Sequence, residues 1–422
     1  MNTLVIGSGG REHSIVKSFA ESSTIKNIFV SPGNAGTAEI ATNVELDLKN
    51  HQSVVQFCLD QKITFVFIGP EDSLVDGLCD SLRAANILAV GPSKIAAQLE
   101  GSKIFAKKFM EKAGVPTAKA DVVNSVESVL LAAKKYAPPY ILKADGLAAG
   151  KGVFICRTLD MLEACAKKIF VDKILGPAGE TALLEENLPG SELSFLVLTN
   201  GEDFQGLPIA QDHKRLLNKN MGPNTGGMGT IASMELPIQL YQKIIQTIIK
   251  PTIDQLKKEA YLFRGILFFG LMVVDNEPYV LEYNVRFGDP ETQVILPLIR
   301  NDLGKVFFEL AEGRLEKLTF KNKKVICLVN AAEGYPDNPI KNTRIGLPYG
   351  FKPDAYILHA GTKLNEDGQL VSNGGRVLNV IAIDDTFEKA KNKVLELNAK
   401  IQFEGRQYRT DIGNYQSKRN ET

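Results

Sequence analysis

Short β-rich runs, TLVIG, NIFVSP, TFVFIGP and ILAVGPS, recur through the first hundred or so residues and alternate with amphipathic stretches such as REHSIVKSFAES and DGLCDSLRAAN. Parallel strands need a crossover between neighbours, so this alternation predicts a parallel α/β sheet. Each run ends in Gly, Pro or Ser. The loops at the carboxyl edge, where such sheets bind ligands, are therefore built from small residues. The unit is expected to close at Gly101, giving a first domain over 1–101.

A chain of 422 residues exceeds one hydrophobic core, and the texture changes after that point. A helix SKIFAKKFMEKAG is followed by PPYILKADGLAAGKGVFICR, which reads as strand, glycine loop, strand. Two strands and a loop make a flap, expected at about 118–187 within a second domain over 102–323. Further strands (TALLEEN, LSFLVLTNG, GILFFGLMVVD, PYVLEYNVRF) are separated by a long helical stretch, LYQKIIQTIIKPTIDQLKKEA. The remainder, 324–422, reads as a small α+β domain with strands around KVICLVNAA and RVLNVIAI and a helix FEKAKNKVLELNAKI. The fold class is thus α/β and α+β multidomain. Only the tail QSKRNET reads as disordered.

Lys+Arg and Asp+Glu both total 49, so no global field recruits nucleic acid or an anionic membrane. Any phosphate must be bound locally. Cys58, Cys79, Cys156, Cys165 and Cys327 form no CxxC pair and read as reduced core residues. With four histidines and no His/Cys cluster, a metal needs carboxylate and carbonyl oxygen, which points to magnesium. The first apolar run is too short for a signal peptide or membrane span, so a cytoplasmic protein is expected.

Four motifs carry chemistry. GSGGREH presents backbone N–H groups at a helix start, but Glu12 stands at the third glycine position of a dinucleotide fingerprint and no acid follows the second strand. A phosphosugar fits better than a dinucleotide, with a structural turn equally open. KADGLAAGKG lacks Walker spacing and places Gly152 where Ser or Thr belongs; a glycine hairpin carrying Lys143 and Lys151 suits folding over a triphosphate. In YVLEYNVRF, period two puts Leu281, Tyr283, Val285 and Phe287 on one face and Glu282, Asn284 and Arg286 on the other. Two oxygen donors suit a hard cation, and Arg suits bidentate capture of a carboxylate or phosphate. QDHKR and GPNTGGMG read as substrate loops, with His213 open between a solvated residue and a functional one.

These segments, with SPGNAGT, GPEDSLVDG, QLEGSK, EYNVRFGDPETQ, HAGTK and NGGRVL, resemble the blocks of the phosphoribosylamine–glycine ligases, members of the ATP-grasp superfamily, from end to end. The resemblance implies an N-terminal domain for the amine substrate, an ATP-grasp core with a mobile flap, and a C-terminal domain. It implies ligation of glycine to 5-phosphoribosylamine with ATP and Mg²⁺ or Mn²⁺, through glycyl phosphate, in purine synthesis. Glu282 and Asn284 would hold the metal. Lys103 and Lys143, with Gly150, Lys151 and Gly152 of the flap, would meet ATP phosphates. Glu185, Glu186, Asn187 and Leu188 would form the adenine hinge, and Glu192 would reach the ribose. Gly9, Gly10, Arg11, Glu12, Gly69, Pro70 and Glu71 would bind phosphoribosylamine. Asp212 and Arg286 would grip glycine as the catalytic pair, aided by Lys214, Asn224, Thr225, Gly226, Asp289 and Pro290. The strand GILFFGLMVV lacks the second metal acid of many relatives, leaving open a single carboxylate or an indirect role for Glu291.

The chain is expected to be a monofunctional monomer, with transient contacts to neighbouring pathway enzymes left open. A sibling ligase using formate or bicarbonate, a degenerate nucleotide-binding module and a nicotinamide dehydrogenase are the competing readings. Substrate-dependent ADP release separates the first, and intact Lys143, Glu282, Asn284 and Arg286 argue against the second.

Overall fold

The computed structural model describes residues 1–148, 152–350 and 352–414. The tail QSKRNET and two expected flap residues, Gly150 and Lys151, lie outside them. The strand Asn2–Gly7 pairs in parallel with Asn27–Pro32 on one side and Phe65–Ile68 on the other, and Phe65–Ile68 pairs in parallel with Leu88–Pro92. This is the expected parallel sheet, with its small-residue loops along one edge.

That sheet does not stop at the first unit. Pro92 and Gly91 pair with Phe263 and Arg264 at the start of the long strand Phe263–Val274. From there one sheet continues through Ser191–Thr199, Ala210–Asp212, Gly229–Ala232, Lys324–Ala331, Arg376–Asp384 and Ala355–His359. Alternation sorts its two faces: Leu4, Ile6, Leu193, Phe195 and Val197 fill one core, while Val5, Leu196 and Leu198 fill another. Strands apolar on both faces are what a sheet covered on both sides requires.

The expected strand pair of PPYILKADGLAAGKGVFICR is present, Tyr140–Ala144 antiparallel to Val153–Cys156. With Ala120–Val123 and Ala182–Glu185 these make a separate four-stranded sheet. Helices Val126–Ala133 and Leu159–Phe170 bury Val129, Leu162 and Ile169 against one face. The helix Lys103–Ala113 is capped by Ser102 and stopped by Gly114 in the left-handed region (φ 68°), which glycine adopts without Cβ strain.

The long helical stretch runs over Ile238–Lys258 but opens into a π turn at Ile245–Ile249, just before Pro251. Proline has no N–H to give the preceding turn, and a widened turn accommodates it. In the last third, helix Phe387–Asn398 packs Ala390 and Val394 against strands Lys324–Ala331 and Arg376–Asp384. Cys58, Cys79, Cys156 and Cys327 are buried and Cys165 half-buried, all unpaired by disulfides. Among the described residues no helix is long and apolar enough to cross a membrane.

Candidate functional site

A cleft of about 600 Å³ lies between the four-stranded sheet and the large one. Its apolar wall comes from Ile141, Val153 and Ile155 on the small sheet and from Phe268, Met272 and Leu281 on the large one. Two sheet faces with a slot between them suit a planar base, and the polar groups gather at the ends.

At the first end Lys143 Nζ meets Glu185 Oε2 at 2.7 Å and Lys107 Nζ meets Oε1 at 3.1 Å, with Glu185 buried. Lys143 also donates to the Leu281 carbonyl at 3.3 Å. Lys103 reaches the Gly146 carbonyl at 3.5 Å; burial lowers its pKa, although Glu282 opposes the shift. The segment Glu185–Leu188 lines the cleft, tied back by the Lys119 N–H donating to Glu186 Oε1 at 2.8 Å. Gly152 and Glu192 line it as well.

Glu282 and Asn284 both face the cleft from the strand Glu277–Asn284. The pairing slips between Gly270 and Leu271, and Leu281 is the extra residue. This bulge turns Leu281 into the cleft too, where strict alternation had placed it on the opposite face. Burial pushes the Glu282 pKa up, but Lys214, Lys143, Lys103 and Arg286 outweigh it and hold the carboxyl below its ordinary range. An ionised carboxylate beside an amide oxygen is a donor set that fits a hard divalent cation. Among the described residues no group of three or more His, Cys, Asp or Glu forms a fuller metal cage. Remaining ligands would thus come from phosphate oxygens and water.

Arg286 is more heavily engaged than the sequence pattern implies. Its Nε donates to Glu71 at 2.9 Å, Nη1 to the Phe287 carbonyl at 3.1 Å, and Nη2 to Glu100 at 2.7 Å and Asn284 at 3.3 Å. A guanidinium has five N–H donors, so one on Nη1 is left. Bidentate capture of a substrate carboxylate requires release of Glu71 or Glu100. Burial pushes Glu100 up to about 7 despite Arg286.

Beyond Arg286 stand Asp212, Lys214, Glu291, Asp289 and Arg376, all lining the cleft with Asn224, Thr225 and Gly226. Burial raises the pKa of Asp212, and the neighbouring Glu291 carboxylate raises it further. Two neighbouring carboxylates, Asp212 half-buried and Glu291 buried, would favour a small cation between them. Asp212 Oδ1 accepts the His213 N–H at 2.7 Å, and Glu291 Oε1 accepts the Ser194 hydroxyl at 3.1 Å. His213 itself turns to the Gly229 carbonyl, 3.1 Å from Nδ1, and does not line the cleft.

From the first unit, Arg11 and Glu71 line the cleft. Gly9, Gly10, Glu12, Gly69, Pro70 and Pro290 do not line it. Glu12 fills the glycine loop: its Oε2 accepts the Gly9 N–H at 2.7 Å and its Oε1 meets Arg11 Nε at 2.6 Å. A Cβ on Gly69 would sit 1.9 Å from Glu12 Oε1, so glycine is required there. The loop a dinucleotide pyrophosphate would use is thus occupied by a carboxylate.

Pattern reasoning missed Arg376, Glu100 and Lys107. Arg376 Nη1 donates to the carbonyls of Gly226 (2.7 Å) and Asp289 (2.6 Å), joining both substrate loops. Lys107 had a signal, since it follows Lys103 by four residues on one helix face. Glu100 and Arg376 had none beyond lying in the QLEGSK and NGGRVL segments.

The chain matches the phosphoribosylglycinamide synthetase N domain over residues 1–100, the ATP-grasp (A) domain over 101–292 and the C domain over 325–415. It is 40% identical to a phosphoribosylamine–glycine ligase of Neisseria meningitidis serogroup B over 417 residues, covering 98% of each chain. It is 42% identical to the trifunctional purine biosynthetic protein adenosine-3 of Homo sapiens, covering 97% of this chain and 41% of that one. The crystal structure of a phosphoribosylamine–glycine ligase from Thermotoga maritima superimposes with a TM-score of 0.86 at 38% identity, over 97% of this chain and 100% of that one. With all three of its parts matched in order, the chain belongs to the phosphoribosylglycinamide synthetase family.

Proposed function

We infer that this chain is an ATP-dependent ligase that joins glycine to 5-phosphoribosylamine, giving glycinamide ribonucleotide, ADP and phosphate in purine biosynthesis. The observation that carries the reading is one cleft in which Lys103, Lys143, Glu282 and Asn284 adjoin Asp212, Glu291 and Arg286, with Arg11 and Glu71 on its border. Triphosphate, amino acid and phosphosugar chemistry thus meet in one space.

In this reading adenine lies in the apolar slot against the backbone of Glu185–Leu188, with Glu192 near the ribose. Lys103 and Lys143 neutralise phosphate oxygens; Gly150, Lys151 and Gly152 belong to the loop that covers them. Glu282 and Asn284 would hold Mg²⁺ or Mn²⁺, which supplies charge neutralisation on the triphosphate. Glycine's ammonium sits between Asp212 and Glu291, and its carboxylate lies toward Lys214 and Arg286. A carboxylate oxygen attacks the γ-phosphorus, the bond to the bridging oxygen breaks, and ADP leaves. The amine of phosphoribosylamine then attacks the carbonyl of glycyl phosphate, forming the amide, losing a proton and expelling phosphate. Positioning and charge complementarity carry both steps without an enzyme nucleophile. Arg11, Glu71 and the loops of Asn224–Gly226 and Asp289–Pro290 frame the phosphosugar. Metabolites being its partners, the chain is assigned to the cytoplasm.

The test is phosphate release from ATP and Mg²⁺ with freshly generated phosphoribosylamine, with and without glycine, and the product identified by mass. Release requiring both substrates and yielding glycinamide ribonucleotide is expected. Release driven by formate or bicarbonate instead would move the chain to a sibling ligase.

A further inference from the structure

The substrate loop between Asp212 and Gly227 is a hairpin with strands Arg215–Leu217 and Met221–Asn224 and no core beneath it: Leu217 and Met221 are 51% and 61% exposed. A two-stranded hairpin without a packed face is marginal in water. It carries Lys214, Asn224 and Thr225 into the cleft, so something else must hold it.

Its tip is held from the far end of the chain. Arg409 is 1% exposed, and its Nη1 donates to the Arg215 carbonyl at 3.1 Å and to Asn220 Oδ1 at 3.0 Å. Nε and Nη2 of the same guanidinium form a two-point pair with Asp411 at 2.7 and 2.8 Å. Asp411 Oδ2 in turn accepts the Lys219 N–H at 2.8 Å, while Asn218 and Thr410 exchange two hydrogen bonds at 2.9 and 3.0 Å. A buried Arg satisfied on both sides by one hairpin and one carboxylate fixes that hairpin far more rigidly than surface contacts do.

We propose that Arg409 and Asp411 are positioning residues for the ligation: they clamp the hairpin so that Lys214, Asn224 and Thr225 are set for the two small substrates, while Lys103, Lys143 and the Glu185–Leu188 segment at the ATP end come from other elements and Lys214, 3.7 Å from Glu192, reaches across to them. The proposal rests on the ligase reading above. It makes the C-terminal segment part of substrate recognition although neither residue lines the cleft.

The experiment compares Arg409→Gln, Arg409→Lys and Asn218→Ala with the unaltered full chain. Steady-state KM values for ATP, glycine and phosphoribosylamine are measured with kcat, alongside the rate of tryptic cleavage after exposed Lys219. Misplacement by a fraction of an ångström to one ångström costs up to about a hundredfold in such sites, so a rise of roughly fivefold or more in KM for glycine, phosphoribosylamine or both is expected in Arg409→Gln. The KM for ATP rises by a smaller factor, since Lys103, Lys143 and the Glu185–Leu188 segment lie outside the hairpin, and cleavage accelerates. Asn218→Ala, at an exposed tip where folding is not at stake, shows the same split to a smaller degree, and Arg409→Lys falls between. All three KM values rising by the same factor, or none rising while cleavage accelerates, overturns the proposal. Should the unaltered chain fail to turn over glycine, the ligase reading falls; unchanged cleavage of Arg409→Gln would then overturn the clamp as well.

Discussion

Arg286 sits between Glu71 and Glu100, with side chains 16%, 28% and 7% exposed, and joins the end of the strand Glu277–Asn284 to the first unit of the chain. Removing one partner of such a group leaves like charges facing each other out of water, a loss of about 3–5 kcal/mol. Arg286→Ala is therefore expected to lower the denaturant midpoint strongly, and Glu100→Gln in the same chain to recover much of it. An unchanged midpoint would remove the pairing from any structural role. Glu282 makes the opposite case: surrounding lysines hold its carboxylate ionised, and its proposed task is in the reaction. Glu282→Ala should keep the fold and lose about a hundredfold or more in kcat. Activity unchanged at every Mg²⁺ concentration would place the metal elsewhere.

Among the elements, the helix Gly10–Ala20 meets the strand Ala355–His359 through two histidines. The His359 N–H donates to His13 Nδ1 at 2.9 Å, and the rings lie 5.7 Å apart. Burial, with His359 and Lys17 adding repulsion, pushes His13 down to about 3, and burial pushes His359 down to about 4, from an ordinary 6.5. Between pH 6.5 and about 4 the unfolded chain takes up protons that the folded one refuses. Stability from this contact is complete above the unfolded value and declines as pH falls through that window. Urea midpoints at descending pH should show the decline, and His13→Asn, which keeps an acceptor without a titrating ring, should lessen it by removing one of the two groups. Equal slopes in both chains would mean that the loss arises elsewhere.

For the molecule as a whole, local pattern carries the strands, the caps and the face bearing Glu282 and Asn284, because period and turn chemistry act over a few residues. It does not carry what closes the site. Arg286 finds Glu71 and Glu100 at separations of 215 and 186 residues, and Arg376 finds Gly226 across 150. The continuity of the large sheet depends on a two-residue pairing of Pro92 and Gly91 with Phe263 and Arg264, too short to announce itself in periodicity. Strict alternation also misses the bulge that turns Leu281 inward, since one inserted residue puts two successive side chains, Leu281 and Glu282, on the same face. The binding face is thus local and its assembly is topological.

In the proposed mechanism the cleft activates glycine's carboxylate by phosphorylation before the amine arrives. Glycine labelled with ¹⁸O in both carboxylate oxygens tests it most directly, with released phosphate analysed by mass. Attack of that carboxylate on the γ-phosphorus transfers one labelled oxygen to each phosphate. Phosphate carrying one ¹⁸O, formed together with glycinamide ribonucleotide, is the predicted result. Unlabelled phosphate accompanying the same product would contradict the claim.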